Sequence, residues 1–304
     1  MGASTASFNQ GLPVTTKTLK LALVTGTGGL GLAIAKGLVA GGVEVILAGR
    51  NPDAGETAVA EMRAASPGAV VSFAQIDLAD IPAVAEAARR IGTERDRLDI
   101  LVNSAGLVSM QRTTTPSGAE TMFGVNHLGH FALTGHLLPL LRNSADARVV
   151  SIVGTAYRGA TMNFDDLNSE QSFNAMKAGG QSMLAKVLFV TELQRRSDAH
   201  GWNLKSVAAD PGFARTGLIR NAPGPMKLFV GIMGSLLGQS AADGAGPALV
   251  GAIGDAAPGG YYAPSSGLRG PAIRKDIAPV GLDPVAGQRL WEASQEMTGF
   301  PFPA

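Results

Sequence analysis

Six short, continuously apolar runs punctuate the first two thirds of this 304-residue chain. They are LKLALVT (19–25), VEVILAG (43–49), VVSFAQID (70–77), LDILVNSAG (98–106), RVVSIVG (148–154) and NLKSVAAD (203–210). A strand exposed on one face alternates polar and apolar residues, whereas a strand covered by helices on both faces does not, so these runs read as a parallel sheet. Helical stretches lie between them, among them LGLAIAKGLVAGG, stopped by Gly41 and Gly42, and AETMFGVNHLGHFALTGHLLPLLR. Repeated strand–helix–strand units with right-handed crossovers give an α/β, doubly wound, mainly parallel sheet flanked by helices, the Rossmann arrangement. No repeat and no linker divides it. A polar tail (1–17) is expected to precede one domain (18–304), with a Met-rich segment at about 221–240, NAPGPMKLFVGIMGSLLGQS, that reads either as a cap over a pocket or as a helix packed on the core.

Composition narrows the partners. A net charge of +1 with scattered basic residues offers no field for nucleic acid or an anionic membrane. The chain has no cysteine, which removes disulfides and thiolate metal sites and fits a reducing compartment. The start MGASTASFNQGLPVTT lacks a basic n-region and an apolar h-region, and LFVGIMGSLLG (228–238) is too short to span a bilayer, so a cytoplasmic location is expected.

The first apolar run passes directly into Gly26, Thr27, Gly28, Gly29, Leu30 and Gly31 and then a helix, satisfying GxGxxG in the strand–turn–helix context that gives the motif its meaning. Glycines let the backbone approach a pyrophosphate at the positive end of the helix. The second strand should end on an acid for a ribose 2′-hydroxyl; it ends Ala48-Gly49-Arg50-Asn51 instead. A guanidinium without a neighbouring carboxylate suits a 2′-phosphate, so NADP(H) is expected over NAD(H).

With these residues in view the chain resembles the short-chain dehydrogenase/reductase superfamily, and in particular its retinol-dehydrogenase-like branch, from about residue 17 to 300. VTGTGGLG is similar to the family's TGxxxGxG loop with one residue fewer. Asp77 and Leu78 resemble the adenine-binding pair, and Asn103-Ser104-Ala105-Gly106 resembles the NNAG turn. Asn126 in FGVNHLGHF corresponds to the family's helix asparagine, and DPGFART places Pro211, Gly212 and Thr216 on the motif whose Thr meets the carboxamide. The tail GGYYAP and LWEASQEMTG also resembles that branch. The resemblance implies dinucleotide binding by these residues and oligomers formed through the helices that hold Asn126 and Gly179.

Departures from the family pattern fall where the resemblance puts the chemistry. The family uses a Ser that hydrogen-bonds the carbonyl oxygen, a Tyr that donates the proton, and a Lys that lowers the Tyr pKa and holds the ribose. Here RVVSIVGTAY puts Gly154 at the Ser position with Thr155 beside it, and AGGQSMLAK puts Gly179 and Met183 at the Tyr and Lys positions. An alternative alignment on Phe173-Asn174-Ala175-Met176-Lys177 keeps a lysine but no phenol, and GQSMLAKVLF continues the family helix better in the first register. Tyr157 is the one tyrosine near the site by sequence, a pocket candidate with Thr155, Gly179, Met183 and Phe213, although a packed ring is the commoner fate of such a residue. His127 and His130, three apart, lack a third ligand and read as packed or surface histidines. Lys186, a turn beyond Met183, reads as a solvated helix face or as a cation that swings back toward the ribose. Asp165 and Asp166 read as solvated loop acids.

General acid catalysis contributes about 10² to 10⁴ in rate, so a reductase without its Tyr recovers that elsewhere or is not a reductase. Three readings follow. In the first, an NADPH-dependent ketoreductase acts on a flat aromatic, polyketide-like ketone whose own neighbouring phenol carries the hydrogen bond. That pattern is similar to the atypical ketoreductases of angucyclinone antibiotic biosynthesis. In the second, a nucleotide-binding regulatory protein has lost the chemistry. In the third, a non-redox cyclase or lyase uses the same pocket.

Overall fold

The computed structural model describes residues 19–213 and 239–303. The expected tail, Thr216 and all of the cap segment except Gln239 and Ser240 therefore lie outside the described residues. In chain order the elements begin with β1 (Leu21–Thr25), α1 (Gly29–Ala40), β2 (Glu44–Gly49), α2 (Pro52–Ala65), β3 (Val71–Gln75), α3 (Ile81–Glu94) and β4 (Ile100–Asn103). A composite helix follows, made of α4 (Thr121–Phe123), a π-helical turn (Gly124–Leu128) and α5 (Gly129–Arg142). After it come β5 (Ala147–Ile152), a 3-10 turn (Thr155–Gly159), α6 (Ala175–His200), β6 (Leu204–Ala209), α7 (Ala241–Gly244), α8 (Gly246–Ile253), β7 (Tyr261–Pro264), β8 (Ala272–Lys275) and α9 (Pro284–Thr298).

All six apolar runs are strands of one sheet, in the order β3-β2-β1-β4-β5-β6-β7-β8, parallel except for β8 against β7. The sheet is covered on both faces. Leu23, Leu101 and Val149 point to the side of α3 and α5, while Val24, Val102 and Val150 point to the side of α1, α2 and α8. Strand order reverses between β1 and β4, and the crevice outside the carboxyl ends of the strands at such a reversal is where open α/β sheets bind ligands. The residues assigned to a site by sequence, where described, lie at the strand ends or on the loops and helices next to them, with Asn103 the last residue of β4.

Helix termini are set by local chemistry. Asn51, Asp80, Asn174 and Asp283 each accept a backbone N–H in the first turn of the helix they precede, and α6 ends on Gly201 in the left-handed region. Such caps stabilise a helix by about 1 kcal/mol each. At the chain's end, α9 lies across α6 and the composite helix. Trp291 stacks on Phe189 (centroids 5.9 Å apart), meets Phe131 edge-on (5.0 Å) and touches Phe302 (4.5 Å), while Arg196 lies 4.4 Å over its ring. His127 Nε2 and Ser294 Oγ, 2.7 Å apart, tie the π turn to α9. The outer face of the helices that hold Asn126 and Gly179, expected from the resemblance to receive a second copy, is thus occupied in part by the chain's own C-terminal helix.

Candidate active site

At the phosphate loop the glycines are required by contact. Gly26 has φ +103°, in the region that side chains disfavour, and a Cβ on Gly31 would collide with the Gly26 carbonyl oxygen and stand 3.0 Å from that of Thr25. Gly28, by contrast, has nothing within 4 Å of where its Cβ would be, and no side chain caps the first turn of α1. That turn keeps its backbone N–H groups free at the positive end of the helix, with an open approach, and this is what a pyrophosphate needs. The residues present therefore fit a dinucleotide. Arg50 is exposed at the end of β2, while Asn51 beside it spends its carbonyl oxygen capping α2 (3.1 Å to Ala54 N). Asp77 holds Ala79 N through one carboxylate oxygen (3.0 Å), and Leu78 is buried beneath Gly129.

The turn from Asn103 to Gly106 is held by a buried polar chain that the sequence did not disclose. Thr25 Oγ1 accepts from Ser104 N (2.9 Å) and Ala105 N (3.0 Å), and it lies 3.0 Å from His130 Nε2. His130 Nδ1 lies 3.0 Å from the Asn126 carbonyl oxygen, which can only accept, so Nδ1 carries the ring proton and Nε2 accepts from the Thr25 hydroxyl. Burial, and next the nearby Lys186 amine, push the His130 pKa down to about 3, which keeps the ring neutral. Asn126 itself accepts from Leu107 N (2.9 Å) and donates to Leu107 O (3.0 Å) and Ser182 Oγ (3.1 Å). Asn126 is 1% exposed and Asn103 0%. Both were expected among the cofactor contacts; the Asn126 side chain holds the end of the turn from beneath, and the Asn103 side chain donates to Thr134 Oγ1 on α5 at 3.1 Å.

On the other side of the crevice, Gly154 has extended backbone (φ −149°, ψ 153°) that any residue adopts, and a Cβ there would first meet Met183 Sδ at 3.9 Å. A Cβ on Gly179 would first meet Met122 Sδ, also at 3.9 Å. Gly154 and Met183 are therefore neighbours, and glycine and thioether meet here. Lys177, the lysine of the alternative alignment, is exposed in the first turn of α6, and Asn174 is that helix's cap.

Three sequence expectations are corrected here. Tyr157 does not line a pocket: its ring is 0% exposed, wedged against Tyr261 and Gly281, and its hydroxyl accepts the Ala278 N–H at 2.9 Å. Lys186 is not on a solvated face: it is 4% exposed, between α6 and the composite helix. Asp166 also departs from a solvated loop acid, since its carboxylate is buried and accepts Glu170 N and Gln171 N, whereas Asp165 is exposed beside Arg289 (3.4 Å). Thr155 is exposed at the start of the 3-10 turn.

The loop after β6, singled out in the sequence at Pro211, Gly212 and Phe213, is held by residues that nothing in the sequence marked for this role. Gly212 has φ +62°, and a Cβ there would come within 2.5 Å of Leu268 O. Leu268 O accepts Phe213 N (3.0 Å), Gln239 Nε2 donates to Pro211 O (2.7 Å), and Asp210 accepts Gly212 N (2.8 Å). The second Asp210 oxygen accepts the Tyr261 hydroxyl at 2.7 Å. Burial raises the Asp210 pKa, and burial together with the adjacent carboxylate raises that of Tyr261, so the pair is a fixed buttress for the loop.

The comparisons with known proteins agree with this geometry. A family model described as short chain dehydrogenase matches residues 20–222. Retinol dehydrogenase 14 of Homo sapiens is 33% identical over 303 residues, covering 92% of this chain and 86% of the relative. A crystal structure of an uncharacterized protein from Mycobacterium paratuberculosis is similar with a TM-score of 0.78 and 31% identity, covering 94% of this chain and 95% of that one. Pseudomonas aeruginosa RhlG, solved as an NADP active-site complex, is similar with a TM-score of 0.63 and 26% identity, covering 80% and 93%. Among the described residues no helix is long and apolar enough to cross a membrane. The family match spans the phosphate loop, the Asn103 turn and α6 together, and by it this chain belongs to the short-chain dehydrogenase/reductase family of oxidoreductases.

Proposed function

We propose that the protein is a cytoplasmic NADP(H)-dependent ketoreductase acting on a flat aromatic, polyketide-like ketone, with the substrate supplying the hydrogen bond that a tyrosine would otherwise give. The observation that carries this reading is the floor of the crevice. Gly154 and Gly179 carry no side chain, the part-buried Met183 thioether lies against Gly154, and the buried Met122 sulfur backs Gly179. These four residues offer an apolar, polarisable lining and no proton donor, while the phosphate loop opposite keeps its glycine-dependent turn. Thioethers adapt to ring faces. Tyr157, the other proton source suggested by sequence, is fully buried against Tyr261 and Gly281, with its hydroxyl accepting the Ala278 N–H.

The nicotinamide, when bound, supplies the hydride. What this chain contributes is binding and placement. The α1 terminus meets the pyrophosphate, and exposed Arg50, with no acid beside it in the sequence, suits a 2′-phosphate. The Thr25–His130–Asn126 chain fixes the Asn103 turn, and the Asp210–Tyr261 pair fixes the Pro211 loop, with Thr216 beyond it as the expected carboxamide contact. An aromatic ketone with an adjacent phenol carries an internal hydrogen bond that stabilises developing alkoxide charge, so alignment of donor and carbonyl is the principal demand left to the protein.

The test is on the ligand. Methylating the hydroxyl beside the reactive ketone should leave binding intact and lower turnover by about 10² or more, the loss typical of a removed acid or oxyanion donor. A methyl ether that binds and is reduced at the parent's rate overturns the substrate-assisted reading.

A further inference from the structure

Lys186 is a charged residue in an expensive place. It is 4% exposed on α6, and among the described residues no carboxylate offsets it: the only influence that shifts its pKa clearly is burial, which lowers it to about 7. An uncompensated ammonium in so buried a place, beside His127 and His130, opposes folding, so a chain that keeps one there has a use for it other than stability. Its position follows from the helices. Asn126 and Ser182 join the π turn to α6 at 3.1 Å. Lys186 lies one turn after Ser182 and His130 one turn after Asn126, which places the amine beside the His130 ring that carries the Thr25 end of the phosphate loop. Met183, which neighbours Gly154, precedes Lys186 by three residues on the same helix face. A flexible four-carbon stem rooted there can turn toward the floor that Met183 leaves without charge.

We propose that the Lys186 ammonium is the cation of this active site, meeting the ribose end of the bound dinucleotide from one turn further along α6 than position 183. This rests on the dinucleotide-binding reading given above. It predicts opposite effects on stability and binding. Lys186→Met removes a buried charge but keeps the volume, so the cofactor-free protein should melt about 2 to 4 °C higher or more. The same substitution should weaken NADPH about tenfold or more at pH 6, since a charge-assisted contact is lost. Affinity of the wild type for NADH should fall as pH rises through about 7, where the amine loses its proton, and Lys186→Met should flatten that profile. NADH serves this arm because a 2′-phosphate itself titrates near about 6. The titratable groups facing the amine are His127 and His130, both held neutral with pKa pushed down to about 3, and they are silent in this window.

Fluorescence titration of both cofactors and thermal melting, on wild type, Lys186→Met and Lys186→Met with Met183→Lys, decide the matter. Weaker, pH-independent binding by a more stable single variant, recovered when the lysine is restored at 183, supports the proposal. A single variant that binds as tightly as wild type overturns it, whatever its melting temperature. If the single variant both binds weakly and melts lower, the double variant decides: recovered affinity supports the proposal, and no recovery assigns Lys186 to packing and overturns it. A wild type that binds neither cofactor overturns both this proposal and the functional reading beneath it.

Discussion

Gly31 and Gly154 are the same residue type on opposite sides of one crevice, and they are glycine for opposite reasons. At Gly31 a methyl group would collide with the loop's own carbonyl, so the absence of a side chain is what lets helix and strand close on each other. At Gly154, as at Gly179, the nearest atom to an added methyl is a sulfur 3.9 Å away on ordinary extended or helical backbone, so the side chain is missing although there is room for one. One half of the crevice is constrained by packing, and the other has been cleared. A glycine in a sequence does not say which.

The largest expected effect tests the constrained half. Gly31→Ala should displace the loop, reduce dinucleotide affinity by about 100-fold or more in a binding titration, and cost about 1 to 3 kcal/mol of stability through overpacking. Normal binding by this variant would break the comparison. Arg50→Ala comes next: a lost charge-assisted contact of about 1.5 to 3 kcal/mol should weaken NADPH by roughly 10- to 150-fold and leave NADH unchanged. Equal loss for both cofactors would remove the 2′-phosphate from the argument. Tyr157→Phe strands the part-buried Ala278 N–H, which should cost about 1 kcal/mol in denaturant unfolding while turnover stays within about tenfold. A dead but stable variant would return Tyr157 to the chemistry. The smallest effect belongs to the cleared half: Gly154→Ser should change stability by less than about 0.5 kcal/mol, since the space is present. A loss as large as that at Gly31 would show that the clearance is illusory.

Acid sharpens the same division from beneath the phosphate loop. His127 and His130 are held with pKa near 3 against an ordinary 6.5, so the unfolded chain binds more protons than the folded one between those values. Their contribution is complete above pH 6.5 and is lost as pH falls toward 3. Melting temperature should decline across that window, and His130→Asn should make the decline shallower.

How much of this was legible depended on whether a residue's meaning is local. The six parallel strands showed because burial on both faces writes an apolar run into the sequence, and the loop at Gly26–Gly31 showed because its motif and context are contiguous. Strand β8 did not: Arg274 is exposed and Ala272 and Lys275 are only part-buried, so its sequence, AIRK, carries neither alternation nor an apolar run. The π turn at Asn126 has no local signature, since only its pairing with Leu107 and Ser182 distinguishes it. Lys186 and Tyr157 were misplaced for the same reason. A lysine on a helix reads as solvent-facing, and a tyrosine on a loop as either a pocket residue or a packed ring, until the elements opposite them are known, and Ala278 and His130 are distant from them in sequence. Gln239 and Leu268, which hold the Pro211 loop, are likewise ordinary residues given a role by proximity.

The packing of Trp291 has a bearing on dilution. The apolar surface that it and Phe302 cover on α5 and α6 is sealed by a segment of the same chain, so the local concentration of that seal is fixed by connectivity and does not change with the amount of protein in the cell. A face sealed by a second molecule opens whenever its partner becomes scarce; this one closes as a unimolecular event. The helices that carry Asn126 and Gly179 are thereby held in register at the lowest expression level as firmly as at the highest.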